Sequence, residues 1–223
     1  MPIPAAKAQT TEHIINNLLV TMGVKVDDTV SRAIAALLRT DSHVVAGVLE
    51  SSVAIQDLAL ALEQAVFAEL QKGDLDAVEI RRATSAVKIS RDLSRLSKLA
   101  ANLGHKVTEV GKHQEHEDFS RLQPLAIAVS HLCRQTLRSL TRLDPVVARN
   151  AAEGGATVDA YRNYVLQGLS AKKPHVADDQ NLHLIFASRC LEQIADNAIH
   201  VAENVVIFLD GQNHQENTQR MAS

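Results

Sequence analysis

The chain has 223 residues, of which 46% are hydrophobic and 22% charged, long enough for a sizeable core and too apolar for a disordered segment. With 23 basic residues against 26 acidic ones the net charge is −3, without the positive excess of a protein whose main partner is a phosphate backbone, so general nucleic-acid binding is excluded. Aromatics make 3% of the chain, there is no Trp, and 9 Gly and 5 Pro leave a sequence dominated by helix formers such as Ala, Leu, Gln and Arg. An all-α chain is expected.

The apolar runs are interrupted before the roughly 18 residues that a membrane span needs, and MPIPAAKAQT at the start lacks the apolar core of a signal peptide. The expectation is a soluble, cytoplasmic protein with no membrane insertion. Cys133 and Cys190 have no CxxC spacing, so neither a structural zinc site nor a disulfide framework is indicated, and both read as small buried apolar groups.

Six helical segments follow in chain order. The first runs from about Glu12 to Thr40, after which Asp41-Ser42 offers side-chain acceptors for the next helix. That second helix reaches about Gln71, and Gly73-Asp74 supplies a left-handed stop and a fresh cap. The third continues to about Gly111, followed by the polar stretch KHQEHED. The fourth spans Phe119 to Leu143. Asp144-Pro145 then sets a cap beside a first-turn proline, the strongest start signal in the chain. The fifth helix runs from there to about Leu169, SAKKPHVADD is a loop, and the sixth extends from Gln180 to Asp210-Gly211 before a polar tail.

These segments repeat. Arg39-Thr40-Asp41 and Glu50 match Arg142-Leu143-Asp144 and Glu153 at an offset of 103 positions, and Ser90-Arg91-Asp92-Leu93 matches Ser188-Arg189-Cys190-Leu191 at an offset of 98. The order helix, cap, helix, loop, long helix recurs around both matches. Two tandem three-helix bundles are expected, over residues 1–113 and 114–223.

In the sixth helix Leu191, Ile194, Ala198, Val201, Val205 and Phe208 step by alternating threes and fours, a heptad-like seam. Ile89, Leu93, Leu96, Ala100, Leu103, Val107 and Val110 do the same in the third. Glu192, Asp196, His200 and Glu203 form a second stripe that faces outward, opposite the seam.

Catalysis has little to stand on: GxSxG, P-loop, HExxH and dinucleotide fingerprints are all absent, and the chain reads as a non-enzyme. The carboxylates of Glu192 and Asp196, at i and i+4, could bridge a hard or borderline cation if other helices add ligands; the plainer reading is a solvated face. His113, Glu115, His116, Glu117 and Asp118 look superficially like ligands but fall in the joint between the repeats.

HLIFASRCLEQIADNAIHVAENVVIFLDG, His183 to Gly211, closely resembles the last helix of the PhoU family, regulators of bacterial phosphate uptake. EIRRATSAVKISRDLSRLSKLAANL and MGVKVDDTVSRAIAALLRTD resemble the family's amino-terminal repeat, so the likeness covers about residues 12 to 211. It implies a metal motif, Glu/Asp-x-x-x-Asp, in each repeat. Glu192 and Asp196 keep that motif, Asp159 matches the acid of the preceding helix, and His200 stands in place of an Asn. The implied site is thus Asp159, Glu192, Asp196 and His200, holding Fe, Zn or Mn. In the first repeat Ser94, Lys98 and Gln56 stand where the acids belong, and an ammonium there would repel a cation. The resemblance further implies a regulatory adaptor that restrains phosphate-starvation signalling through the ATPase of the phosphate ABC transporter and a sensor histidine kinase, with homodimers common in the family. The alternative is a divergent paralogue of the same fold serving as a metal-binding accessory outside phosphate control.

Overall fold

The structure, a computed structural model, describes residues 6–39, 41–112, 119–170 and 179–221. Its elements are α1 (Ala6–Arg39), a 3-10 turn (Ser42–Val44), α2 (Val45–Leu70), α3 (Ala77–Lys112), a second 3-10 turn (Phe119–Leu122), α4 (Gln123–Arg142), α5 (Pro145–Ala152), α6 (Gly155–Ser170) and α7 (Asp179–Met221). Among the described residues there is no strand, and the all-α helical bundle expected from composition is what forms.

Turn chemistry explains the boundaries, with corrections. Asp144 accepts from the backbone N–H groups of Val146 and Val147 at 2.9 and 3.1 Å, with Pro145 beside it in the first turn, as expected. Gly73 takes a φ of +79° after α2. The cap of α3, however, is Asp76 and not Asp74. Its Oδ1 accepts from Val78 and Glu79, and Glu79 Oε2 accepts from the Asp76 N–H in return, a reciprocal capping box. Leu143, at φ +53°, closes α4 in the left-handed region without a glycine.

The expected fifth helix is two helices, α5 and α6, parted at Glu153-Gly154, and the two glycines there sit close to neighbouring side chains. A Cβ on Gly154 would meet Leu132 Cδ1 at 2.9 Å, and one on Gly155 would meet Ile199 Cδ1 at 3.0 Å. At the other end α7 passes through Gly211 and continues to Met221 where a tail was expected. One glycine costs a helix only about 1 kcal/mol against alanine, too little to end a run of good helix formers.

Both seams are the core. Ile89, Leu93, Leu96, Ala100, Leu103 and Val107 on α3, and Leu191, Ile194, Ala198, Val201, Val205 and Phe208 on α7, are fully buried; the Val110 side chain and residues 113–118 lie outside the described set. Each such large aliphatic side chain contributes roughly 1.5–3 kcal/mol on leaving water. α1, α2 and α3 pack on one another, α4 to α7 do likewise, and the most extensive contact joins α3 to α7, with α1 against α4 beside it. One hydrophobic cluster therefore runs through both groups. Asn197 Nδ2 on α7 donates to the Asp92 carbonyl on α3 at 2.7 Å, a polar pin in this seam.

α2 departs from the reading of short apolar runs, being long and apolar enough by length and composition to cross a membrane. In the fold its Val48, Ile55, Leu62 and Val66 are buried against α1 and α3, while Val53, Leu60 and Phe67 are exposed. Cys133 is buried, its thiol pushed up to about 12 chiefly by burial, and Cys190 is half-buried; both are free.

Candidate functional site

The acidic stripe of α7 does face outward. Glu192 is half-buried, and Asp196, His200 and Glu203 are exposed, a quarter-turn or more away from the buried Leu191 and Ile194. Asp159 reaches the same region from α6. What the sequence reading left out is the cation among them. Arg162, one turn after Asp159, donates through Nη1 to Glu192 Oε1 across the α6–α7 contact, and its Nη2 lies 3.6 Å from Asp159 Oδ1. Glu192 holds the guanidinium still more firmly protonated than usual, first by the hydrogen bond and then by its charge. Its Nε is buried without a hydrogen-bond partner among the described residues.

Asp196 feels the rest of this cluster. Burial and then the like charges of Glu192 and Asp159 push its carboxyl above the ordinary range, and His200 and Arg162 pull it partly back. His200 also faces α3, where its charge acts on Asp92. The Asp92 carboxylate accepts from Asn204 Nδ2 at 2.9 Å. His200 is thus within electrostatic reach of both Asp196 on its own helix and Asp92 on α3.

The implied metal can be tested against this geometry. A divalent ion needs several anionic oxygens aimed at one point, yet here the guanidinium is what Glu192 and Asp159 share. Among the described residues no group of three His, Cys, Asp or Glu side chains converges closely enough to hold a metal ion. As placed, Asp159 and Glu192 pair with Arg162, Asp196 lies within the electrostatic reach of all three, and among the described residues these side chains and His200 do not fit a metal centre. The signal for Arg162 was present in the sequence only as its i, i+3 spacing from Asp159.

In the first repeat the matching positions also meet. Gln56 on α2 and Ser94 and Lys98 on α3 line one groove of about 410 Å³ together with Ala59, Arg91 and Arg95. A larger groove, about 780 Å³, opens between α4 and the α5–α6 break, walled by Ile127, His131, Leu132, Gly154 and Tyr161.

The PhoU domain family matches residues 19–107. Over these residues the chain is similar to PhoU domains. It is 27% identical over 159 residues to a phosphate-specific transport system accessory protein PhoU homolog of Xylella fastidiosa, covering 68% of this chain and 65% of that one. A relative of the same description from Zymomonas mobilis is 24% identical over 207 residues, covering 91% of this chain and 86% of that one. The crystal structure of PhoU from Pseudomonas aeruginosa superposes with a TM-score of 0.83 at 24% identity, over 91% of this chain and 99% of that one. The PhoU fold therefore extends over both groups of helices, beyond the residues that the domain profile matches.

Proposed function

We propose that this chain is an accessory and regulatory protein of a phosphate-specific transport system, acting by binding and not by turnover. The observation that carries this reading is the match, over nearly the whole chain, to relatives that bear that description, on a fold shared with a solved PhoU. In finer detail, the chain restrains phosphate-starvation signalling when phosphate is plentiful, through contacts with the ATPase subunit of the transporter and with a sensor histidine kinase. Long helices with polar or mixed outer faces suit such work, since they offer extended surfaces to protein partners; α2 adds exposed Val53, Leu60 and Phe67 to its outer face.

The test is deletion of the gene with phosphate-responsive expression measured in phosphate-rich medium, combined with affinity purification of the tagged chain. Derepression, and recovery of a transporter ATPase or histidine kinase, is the expected result. Unchanged expression with neither partner recovered overturns the reading in favour of a paralogue working outside phosphate control.

A further inference from the structure

Matching positions of the two halves carry opposite charge. In the second, Glu192 and Asp196 on α7 and Asp159 on α6 face the Arg162 guanidinium. In the first, the positions at matching offsets are Ser94 and Lys98 on α3 and Gln56 on α2, and the counterpart of Arg162 is Ala59. Alanine cannot reach across the notch. It lines an open groove of about 410 Å³, into which Arg91, Arg95 and Lys98 bring three cations against the single carboxylate of Glu63.

None of those three cations has an ion-pair partner among the described residues, although Arg91 and Arg95 sense the charge of Asp92, whose carboxylate is engaged by Asn204. Among the described residues Ser94 Oγ is buried at this groove with no hydrogen-bond partner, and Gln56 donates a 3.3 Å bond to the Ser52 carbonyl. Arg91, Arg95 and Lys98 stand at i, i+4 and i+7, so their heads fall along about 10 Å of one helix face. A group carrying several negative oxygens satisfies such a set; guanidinium in particular pairs with phosphate through parallel N–H donors.

We infer that the α2–α3 notch, bounded by Gln56, Ala59, Ser94, Arg95 and Lys98, is a binding site for a phosphate-class oxyanion. The charge that Arg162 supplies from within the second repeat is reversed and left to a ligand in the first. The site stands apart from the transport reading above, because deletion of the gene reports on that reading and direct binding reports on this one.

The experiment is calorimetric titration of the full chain, at fixed ionic strength, with inorganic phosphate and separately with inorganic triphosphate. Saturable binding of at least one is expected, weakened tenfold or more by Arg95→Gln with Lys98→Gln and by Ser94→Glu with Lys98→Asp. The relative affinities of the two probes distinguish a free phosphate ion from a phosphoryl chain. Arg134→Gln with Arg138→Gln, which removes the same charge from the exposed face of α4, should leave binding unchanged. No saturable binding of either probe, full binding in the notch variants, or an equal loss in the α4 variant would each overturn the assignment.

Discussion

The guanidinium of Arg82 stands 5.1 Å from the ring centroid of Phe208, so a cation of α3 lies over an aromatic of α7 in the seam between the repeats. Arg82 also donates to Glu12 and, at 3.3 Å, to Asn16 on α1. With its side chain only 10% exposed, the charge is held by one carboxylate, one amide and one ring face. Desolvated cation–π contacts are worth up to about 2 kcal/mol. A double-mutant cycle of Arg82→Gln and Phe208→Leu, followed by urea denaturation, should give a coupling of about 1 kcal/mol. Strictly additive losses would show that the ring contributes packing alone.

The seams set the largest mutational costs. Leu96→Asp or Ile194→Asp places a carboxylate at a fully buried position and should destabilise by several kcal/mol. Leu60→Asp on the outer face of α2, where the residue is exposed, should stay within about 0.5 kcal/mol. Similar melting temperatures for all three would mean that the seams are misassigned.

Asp92 gives a pH-dependent prediction. Burial lifts its carboxyl above the ordinary 3.8, and the Asn204 hydrogen bond with the charges of His200, Arg91 and Arg95 only partly offsets this. The folded state therefore binds a proton that the unfolded chain has released, so the stability associated with this group is full below 3.8 and is lost as pH rises through the folded value. Asp92→Asn should raise the melting temperature at pH 7, with the gain disappearing as the pH falls below about 3.8. A gain that is constant with pH would assign it to packing.

Two glycines should fail for different reasons. Gly154→Ala drives a methyl into Leu132 and against the Ala151 carbonyl, overpacking that costs about 1–3 kcal/mol. Gly73→Ala meets nothing within 4 Å but must hold φ at +79°, a conformational cost of about 1 kcal/mol. Chemical denaturation of both variants checks the order, and a harmless Gly154→Ala would show that Leu132 moves aside without cost.

The seams were legible because period and burial coincide: every described residue picked out by three-four spacing on α3 and α7 is fully buried. Asp144-Pro145 was legible because its chemistry is local. The break at Gly154 was not, and the close approach of Leu132 and Ile199 to the glycines there is a tertiary feature that no local spacing announces. The site shows the same division. Glu192, Asp196 and Asp159 were found as a charged set, but the pairing of Glu192 with Arg162 is a tertiary contact between α6 and α7, and no spacing along a single helix announces whether a carboxylate will face a metal ion or an arginine. Burial of Arg82 escaped for the same reason, its neighbours lying on α1 and α7.

The contact of α3 with α7 also sets how far apart in the chain the partners of the fold lie. α1, α2 and α3 are joined by short connections, so their contacts close at small cost in loop entropy, whereas α3 and α7 begin about 100 residues apart and their contact closes a much longer loop. If the Asn197 pin to Asp92 forms after the folding barrier, Asn197→Ala should speed unfolding and leave the folding rate nearly unchanged, which stopped-flow kinetics would show.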